Sequence, residues 1–348
     1  MNASCTFAVA VLAALPLGAA ASAATRVERI DDTTVELLRT DATPVDVWIS
    51  GDPELDRNDT RIRRHFAGET LRIAMPAETR QYLIIVPARG RRVVVAERLL
   101  PLQQGSNFRD LGGYPTRDGR SVRWGKVFRS AAMPLLTERD YRMLAGLGLD
   151  SVVDLRSLPE RELMPDQLDD RSGALFLSND YPLAQLMSHM GQADGDEMYK
   201  GLEQLLVPQF RMALARILAA QGAVVVHDVW GQDRVGVFAA LLYDVLGVDR
   251  ATIREDFHLS QKMRRTEFEI SDLRPEDYPG NPIVQYYASK KVNGRYEPEA
   301  LYTRSGVSHI DQFLAYIDRQ YGGSEHYFAT QLGLTPARLS QLRTTLLD

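Results

Sequence analysis

Residues 224–242 read VVVHDVWGQDRVGVFAALL, and this stretch decides the fold. A β-branched run ends at His227, a short turn containing Gly231 and Arg234 follows, and an apolar repeat at helical spacing comes next. A strand, a tight loop and a helix start form a standard anion cradle, because loop N–H groups and the helix dipole both point at the ligand. Asp228, itself an anion, stands where an attacking group would be expected. The sequence therefore predicts an anion site that carries its own negative charge.

The composition of the chain sets the first limits. Its 348 residues suffice for two domains, and 45% hydrophobic with 25% charged residues is ordinary for a soluble globular protein. A net charge of −5, from 41 basic and 46 acidic residues, gives no indication of nucleic acid or an anionic membrane as partner. Beyond the N-terminal segment, no stretch approaches the roughly 20 apolar residues that span a bilayer.

The N-terminal segment has the pattern of a signal peptide over residues 1–23. The apolar run FAVAVLAALPLGAA precedes the small-residue cleavage site at residues 21–23. It lacks the usual basic residues, and a buried helix is the alternative. The pattern favours export, which predicts a periplasmic or secreted protein. The single cysteine, Cys5, lies inside this segment, so the mature chain would hold no thiol.

Residues 24–100 show the pattern of β structure. Short runs such as VDVWIS (45–50), LRIAM (71–75) and YLIIV (82–86) alternate or are β-branched, and turn-rich pieces separate them. Five or six such strands in about seventy residues predict a small β-sandwich-like domain. No catalytic constellation is visible there, so an accessory or docking role is expected.

From residue 101 onward, strands alternate with helices. SVVDLRS (151–157) reads as a buried strand, and PQFRMALARILAAQG (208–222) reads as a helix that leads into the strand before His227. This alternation predicts an α/β domain over 101–348, with a mostly parallel sheet flanked by helices. The polar segment 185–205 is expected to be a surface loop, with a mobile lid as the alternative.

Several motifs in order resemble the bacterial tyrosine phosphatase family. They are NFRDLGGY (107–114), VVDLRS (152–157) with Glu160 after it, the 227–236 loop, EDFHLS (255–260) and the C-terminal segment YGGSEHYFATQLGLTPARLSQLRTTLL. The resemblance covers residues 100–348 and points to the secreted or periplasmic, cysteine-dependent branch. It implies a phosphorylated protein, peptide or lipid headgroup as the partner.

The loop both matches and departs from the family pattern, His-Cys-x-x-Gly-x-x-Arg-Thr/Ser-Gly. His227, Gly231, Arg234 and Gly236 match. The resemblance implies a phosphate-binding segment made of Val229, Trp230, Gly231, Gln232, Asp233 and Arg234. Asp228 occupies the nucleophile position, Val235 replaces the supporting hydroxyl, Trp230 replaces a small residue, and Gln232 stands where a lysine is often found. The family's cysteine mechanism cannot run on this sequence.

Three roles for Asp228 follow. As a tethered phosphate mimic it would fill the cradle, which makes the protein a phosphatase-inactive pseudophosphatase that binds phosphate or phosphoesters weakly. It could instead be an aspartyl nucleophile for phosphomonoesters, a chemistry for which a metal usually neutralises the charge. A third role is a carboxylate base for C–H proton abstraction of the Kemp-elimination type, with Trp230 stacking on a flat substrate. The sequence separates neither natural drift from an engineered replacement, nor an enzyme from a binding protein.

The other loop residues have separate expectations. Asp233 matches the position of the family's acid, and a helix N-terminal carboxylate is an equal alternative. Arg234 is expected to clamp phosphate with its planar fork. Asp228, Asp233 and Arg234 are thus the candidate catalytic residues, and His227 is expected to hydrogen-bond the loop.

Charged residues outside the loop are interpreted as structural. Arg109 and Asp110 are expected to pair and shape the rim of the pocket. Asp154 and Arg156 are expected to stabilise a strand end. No two of the six histidines have metal-ligand spacing, so neither a metal site nor any other cofactor is expected.

Overall fold

A computed structural model describes residues 25–182, 199–296 and 300–348. The predicted signal peptide, with Cys5, lies outside the described residues, and so does most of the polar segment 185–205. Within the described parts of the chain, no helix has both the length and the apolar character required to cross a membrane.

The N-terminal region consists of two antiparallel sheets. One contains three strands in the order β1-β2-β5 and the other contains four in the order β4-β3-β6-β7. The strands are β1 Thr25–Asp31, β2 Thr34–Arg39, β3 Val45–Ser50, β4 Thr60–Phe66, β5 Thr70–Ala74, β6 Tyr82–Pro87 and β7 Val93–Ala96. Seven strands are present here, where the sequence pattern suggested five or six.

The two antiparallel sheets share one apolar core. Val35 and Leu37 of β2 alternate with outward-facing residues, as do Val45 and Val47 of β3, and the buried side chains form a single cluster with Leu83 of β6. Successive side chains of a strand point to opposite faces, so one face of each sheet is buried against the other.

A five-stranded sheet organises the rest of the chain. Its strands are β8 Arg109–Asp110, β9 Val127–Ser130, β10 Leu149–Asp154, β11 Leu175–Ser178 and β12 Ala223–His227, in the order β11-β10-β12-β9-β8. Four of them are parallel, and β8 alone runs antiparallel, beside β9. β12 is central and buried at every position, which suits its Ala-Val-Val-Val-His sequence. The predicted α/β fold is confirmed.

Helices cover this sheet and build the C-terminal part. They are α1 Glu138–Ala145, α2 Leu158–Leu163, α3 Leu168–Ser172, α4 Leu202–Leu205, α5 Val207–Ala219, α6 Arg234–Leu246, α7 Arg250–His258, α8 Ser260–Met263, α9 Pro282–Ser289, α10 His309–Tyr321, α11 Ser324–Thr330 and α12 Pro336–Leu346. Two 3₁₀ turns, Thr266–Phe268 and Pro275–Asp277, and a hairpin of β13 Lys291–Val292 with β14 Arg295–Tyr296 lie between α8 and α10. α6 is buried along nearly its whole length, so the loop between β12 and α6 is anchored at both ends.

Candidate active site

The loop between β12 and α6 lies at the carboxyl end of the central strand, where ligands of α/β sheets bind. His227 ends the strand and Arg234 begins the helix. Asp228, Asp233 and Arg234 are each at most 3% exposed. The structure therefore brings the three candidate catalytic residues together in one buried loop.

The Asp228 carboxylate lies inside the cradle. One oxygen, Oδ1, accepts hydrogen bonds from the backbone N–H groups of Trp230, at 3.0 Å, and of Gly231. The other oxygen, Oδ2, accepts the N–H of Val235 at 3.0 Å and lies 3.9 Å from Nε of Arg234. An anion in the position of Asp228 is thus held by backbone donors and by one guanidinium.

Gly231 allows the sharp turn of the loop. Its φ of +63° belongs to the left-handed region, and a Cβ there would lie 2.6 Å from the backbone nitrogen of Ala131. Its carbonyl is held on the outer side by Nδ2 of Asn107, at 2.8 Å, and by Nη2 of Arg129, at 2.7 Å. Asn107 Nδ2 also donates to the Trp230 carbonyl at 3.3 Å. Because that carbonyl and the Gly231 N–H belong to one planar peptide group and point in opposite directions, the Gly231 N–H faces inward, toward Asp228.

Arg234 is tied to Glu160 rather than free. Its Nη1 and Nη2 donate to the two Glu160 oxygens at 2.9 and 3.0 Å, and Nη1 also donates to the Tyr181 hydroxyl at 2.7 Å. Burial disfavours the Arg234 charge, but Glu160, Tyr181 and Asp228 together outweigh it and hold the pKa of Arg234 well above its usual value. Glu160 also accepts the Ser157 N–H and the Tyr287 hydroxyl, and each bond is charge-assisted.

Asp233 points away from the helix end that it precedes. It makes no capping hydrogen bond to α6. Its Oδ1 instead accepts the Tyr199 hydroxyl at 2.7 Å and the side-chain amide of Gln232 at 3.4 Å. The carboxylate is therefore held at the edge of the loop by side chains, and Tyr199 is a contact that sequence spacing could not indicate.

Trp230 is a core residue rather than an open wall of the pocket. The ring is 6% exposed and packs edge-on against Tyr287, at 5.5 Å between ring centroids, and beside Tyr296, at 5.6 Å. The Arg264 guanidinium lies 4.6 Å from its centroid and donates to the Gln232 side chain at 3.1 Å. A positive charge therefore stands beside Gln232, although Gln232 carries none.

Comparison with known proteins identifies the family. Residues 100–348 match the model of the tyrosine phosphatase family. The chain belongs to that family. A tyrosine-protein phosphatase of Nostoc commune is 31% identical over 225 residues, which is 63% of this chain and 73% of that protein. The triple specificity protein phosphatase PtpB of Mycobacterium tuberculosis is 25% identical over 277 residues, or 69% and 96% of the two chains.

Solved structures are similar at low identity. The crystal structure of Pseudomonas aeruginosa TpbA in complex with pTyr shares 17% identity and covers 49% of this chain and 91% of that one. The TM-score is 0.25.

The expected pairing of Arg109 with Asp110, in the family-like NFRDLGGY motif, is wrong. Neighbouring residues in a strand point to opposite faces, and β8 sends these two side chains apart. Arg109 contacts Asp256, with Nη2 donating to its carbonyl at 3.0 Å, whereas Asp110 pairs with Arg80 at 2.9 Å. Tyr114, the last residue of the motif, donates its hydroxyl to Asp256 at 3.0 Å.

Asp154 and Arg156, which were expected to stabilise a strand end, form an ion pair at the end of β10, at 2.6 Å between Oδ2 and Nη2. Arg156 also donates to Asp166 at 2.8 Å. The imidazole of His227, predicted to hydrogen-bond the loop, lies 3.5 Å from Asp154 and 3.7 Å from Asp166. Its two nitrogens have no hydrogen-bond partner in the described part of the chain, so that prediction is wrong.

These three side chains, Asp154, Asp166 and His227, could in principle ligate a metal, since their ligand atoms lie within 4.8 Å of one another. The Arg156 guanidinium, however, already donates to both carboxylates. A metal ion would have to displace a buried cation, so the cluster is better described as an ion-pair network under the loop.

Proposed function

We propose that this member of the tyrosine phosphatase family binds phosphate-type anions without hydrolysing phosphoesters. One observation carries the proposal: the Asp228 carboxylate accepts three backbone N–H groups of its own loop. It occupies donors of the cradle as an anionic ligand would. The protein is thus a pseudophosphatase whose loop is stabilised by a tethered anion.

The loop keeps some capacity for a second anion. Among the described residues, the backbone N–H groups of Val229 and Gln232 donate to no other backbone group, and Nε of Arg234 lies 3.9 Å from the Asp228 carboxylate. A bound phosphate would face the Asp228 charge, and two unit charges about 4 Å apart repel by on the order of 4 kcal/mol at an effective dielectric of about 20. Weak anion binding is therefore expected, and removal of the Asp228 charge should strengthen it.

The aspartyl-nucleophile alternative lacks support from the contacts. Both Asp228 oxygens accept N–H donors, so neither is left with its full set of lone pairs for attack. Val235 offers no hydroxyl to assist a leaving group. Aspartyl phosphate chemistry also calls for a metal, and the one cluster with ligand geometry among the described residues already contains Arg156.

The carboxylate-base alternative needs a flat aromatic wall that is open to substrate. Trp230 does not provide one, since its ring packs with Tyr287 and Tyr296 and lies next to the Arg264 guanidinium. We therefore favour anion binding over this activity.

The ligand class follows from the family. Phosphorylated proteins, peptides and lipid headgroups share a phosphate dianion, which the N–H groups and Arg234 would recognise. The apolar N-terminal run supports export, so we place the encounter with this ligand in the periplasm or outside the cell.

Restoration of the nucleophile tests the proposal. The wild-type protein should not hydrolyse p-nitrophenyl phosphate, with or without added divalent metal. The Asp228→Cys/Val235→Thr double variant should gain vanadate-sensitive hydrolysis, because the turn, the inward N–H groups and Arg234 are in place. Asp228→Cys alone should gain less.

Trp230 is best kept in this experiment. Trp230 stands where the family pattern has a small residue, but its ring belongs to a buried cluster, and its truncation to alanine should cost about 3–5 kcal/mol of folding free energy. Metal-independent or metal-dependent turnover by the wild type, lost in Asp228→Ala, would contradict the proposal. A folded but inert double variant would show that more than the nucleophile is missing.

A further inference from the structure

Arg80 connects the N-terminal sheets to the second part of the molecule. It lies between β5 and β6 and is 7% exposed. Its Nη2 donates to Oδ2 of Asp110 at 2.9 Å, and its Nη1 donates to the carbonyl of Glu97. The guanidinium also stacks on the rings of Tyr82, at 5.0 Å, and Trp124, at 5.8 Å. A charged group held on so many sides has one fixed position.

Asp110 depends on this contact. Its side chain is completely buried, and its remaining hydrogen bonds come from the N–H groups of Gly112 and Gly125, both at 2.8 Å. Burial raises the pKa of Asp110, and Arg80 is the main group that opposes the rise. Within the part of the chain that the structure describes, Arg80 is the side chain that forms an ion pair with this carboxylate.

Strand β8 consists of Arg109 and Asp110, and Arg109 lies on the side of the anion loop. Arg109 donates to the carbonyl of Asp256 at 3.0 Å and to Oδ1 of Asn107. Asn107 in turn donates to the carbonyls of Gly231, at 2.8 Å, and Trp230, at 3.3 Å. Two residues of β8 thus connect an anchor in the N-terminal region with the outer face of the anion loop.

Other contacts also join the N-terminal sheets to the second part of the molecule. The Trp124 indole donates to the carbonyl of Val94 in β7 at 2.9 Å, and a Cβ on Gly125 would lie 2.6 Å from the Tyr82 hydroxyl. Arg98 donates to the Asp110 carbonyl at 2.9 Å and lies 3.8 Å from the centroid of Tyr114. The N-terminal region therefore fixes β8 at Asp110, through the Asp110 carboxylate and through the Asp110 carbonyl.

From these contacts we infer that Arg80 is a positioning residue for the anion loop, acting through Asp110, β8 and Asn107. The N-terminal β region then belongs to the same functional unit as the loop, rather than being an appended docking module. Without Arg80, β8 would be less fixed, and Asn107 would no longer be held in position to donate to the Trp230 and Gly231 carbonyls. The backbone N–H groups of the cradle would then no longer all point inward.

The test compares Arg80→Met with Arg29→Met in the full chain. Arg29 is a matched control, because it makes a bidentate pair with Glu97 in the same β region, at 2.7 and 2.6 Å, without contact to β8. Amide hydrogen exchange over residues 228–236 is the first readout. Arg80→Met should raise exchange there by about tenfold while exchange in α10 stays unchanged, and Arg29→Met should not. Arg80→Lys should give an intermediate value, and it replaces Arg80→Met if that variant does not fold.

Phosphate affinity in an Asp228→Ala background is the second readout, and it alone rests on the proposed function. Arg80→Met should weaken it by about tenfold, and Arg29→Met should leave it unchanged. Unchanged loop exchange in a folded Arg80 variant would overturn the inference, as would an equal rise throughout the molecule. If Asp228→Ala binds no phosphate even with Arg80 present, the proposed function fails while the exchange measurement still decides the role of Arg80.

Discussion

The inner and outer faces of the 227–236 loop are held by opposite means. On the inner face, backbone N–H groups surround an anion, the Asp228 carboxylate. On the outer face, side-chain donors of Asn107 and Arg129 hold the backbone carbonyls. The peptide groups that begin with the Trp230 and Gly231 carbonyls are thus oriented from outside. We therefore expect a cradle built in this way to keep its shape when the side chain at position 228 is changed.

The largest effect is expected from Glu160, which supports the inner face through Arg234. Glu160→Gln would leave the buried Arg234 charge without its bidentate partner and should cost about 3–5 kcal/mol of folding free energy. Urea unfolding measures the change. Glu138→Gln is the control, since the Glu138 pair with Arg171 is exposed and should matter little.

The pH dependence sharpens this expectation. Burial alone would raise the pKa of Glu160, but Arg234 holds it below its ordinary value of 4.5. The unfolded chain therefore takes up the proton first as the pH falls, and the contribution of Glu160 is full above pH 4.5 and lost below it. The stability difference between wild type and Glu160→Gln should shrink on acidification through this range. A difference that grows would contradict the assigned ion pair.

A smaller loss of stability is expected on the outer face. Arg129→Met removes one of the two side-chain donors to the Gly231 carbonyl and an ion pair with Asp256, which should cost about 2–3 kcal/mol of folding free energy. Unlike a purely structural change, it should also weaken phosphate binding to an Asp228→Ala protein. Arg216→Met, which breaks the more exposed pair with Asp150, should leave that affinity unchanged. If Arg129→Met and Arg216→Met changed phosphate affinity equally, the outer-face contacts of Arg129 would have no specific role in anion binding.

Local sequence patterns predicted the fold well. The runs at 45–50 and 82–86 form β3 and β6, and the apolar run before His227 forms the central strand. These elements follow from side-chain periodicity and β-branching, which act between neighbours in sequence. The loop was predictable for the same reason, because a strand, a positive-φ glycine and a helix start lie in one short stretch.

Contacts between distant residues were not predictable. The donors that hold the Gly231 carbonyl, Asn107 and Arg129, come from more than a hundred residues upstream, and a single sequence gives no signal for such pairs. The Arg109–Asp110 prediction failed because adjacent charges invite pairing, whereas strand geometry separates them. The sequence placed Trp230 in the pocket because of its position in the loop. Its packing partners, Tyr287 and Tyr296, are remote in sequence, so the burial of its ring could not be predicted.

The smallest effect concerns the edge of the loop. Tyr199→Phe removes the hydroxyl that donates to Asp233 at 2.7 Å and should cost about 1–2 kcal/mol of folding free energy. Anion affinity should not change, since Asp233 lies outside the three N–H contacts of Asp228. Thermal unfolding with parallel phosphate titration checks both statements. A loss of affinity in Tyr199→Phe would mean that Asp233 belongs to the inner face.

Titration calorimetry with inorganic phosphate on the wild type and on Asp228→Ala tests the central claim most directly. The claim is that Asp228 fills the cradle as a tethered anion. Removal of its charge leaves the N–H groups of Trp230, Gly231 and Val235 available to a ligand. Phosphate should bind the variant at least about tenfold more tightly, which corresponds to roughly 1.4 kcal/mol. Equal or weaker binding by a folded Asp228→Ala protein would contradict the account.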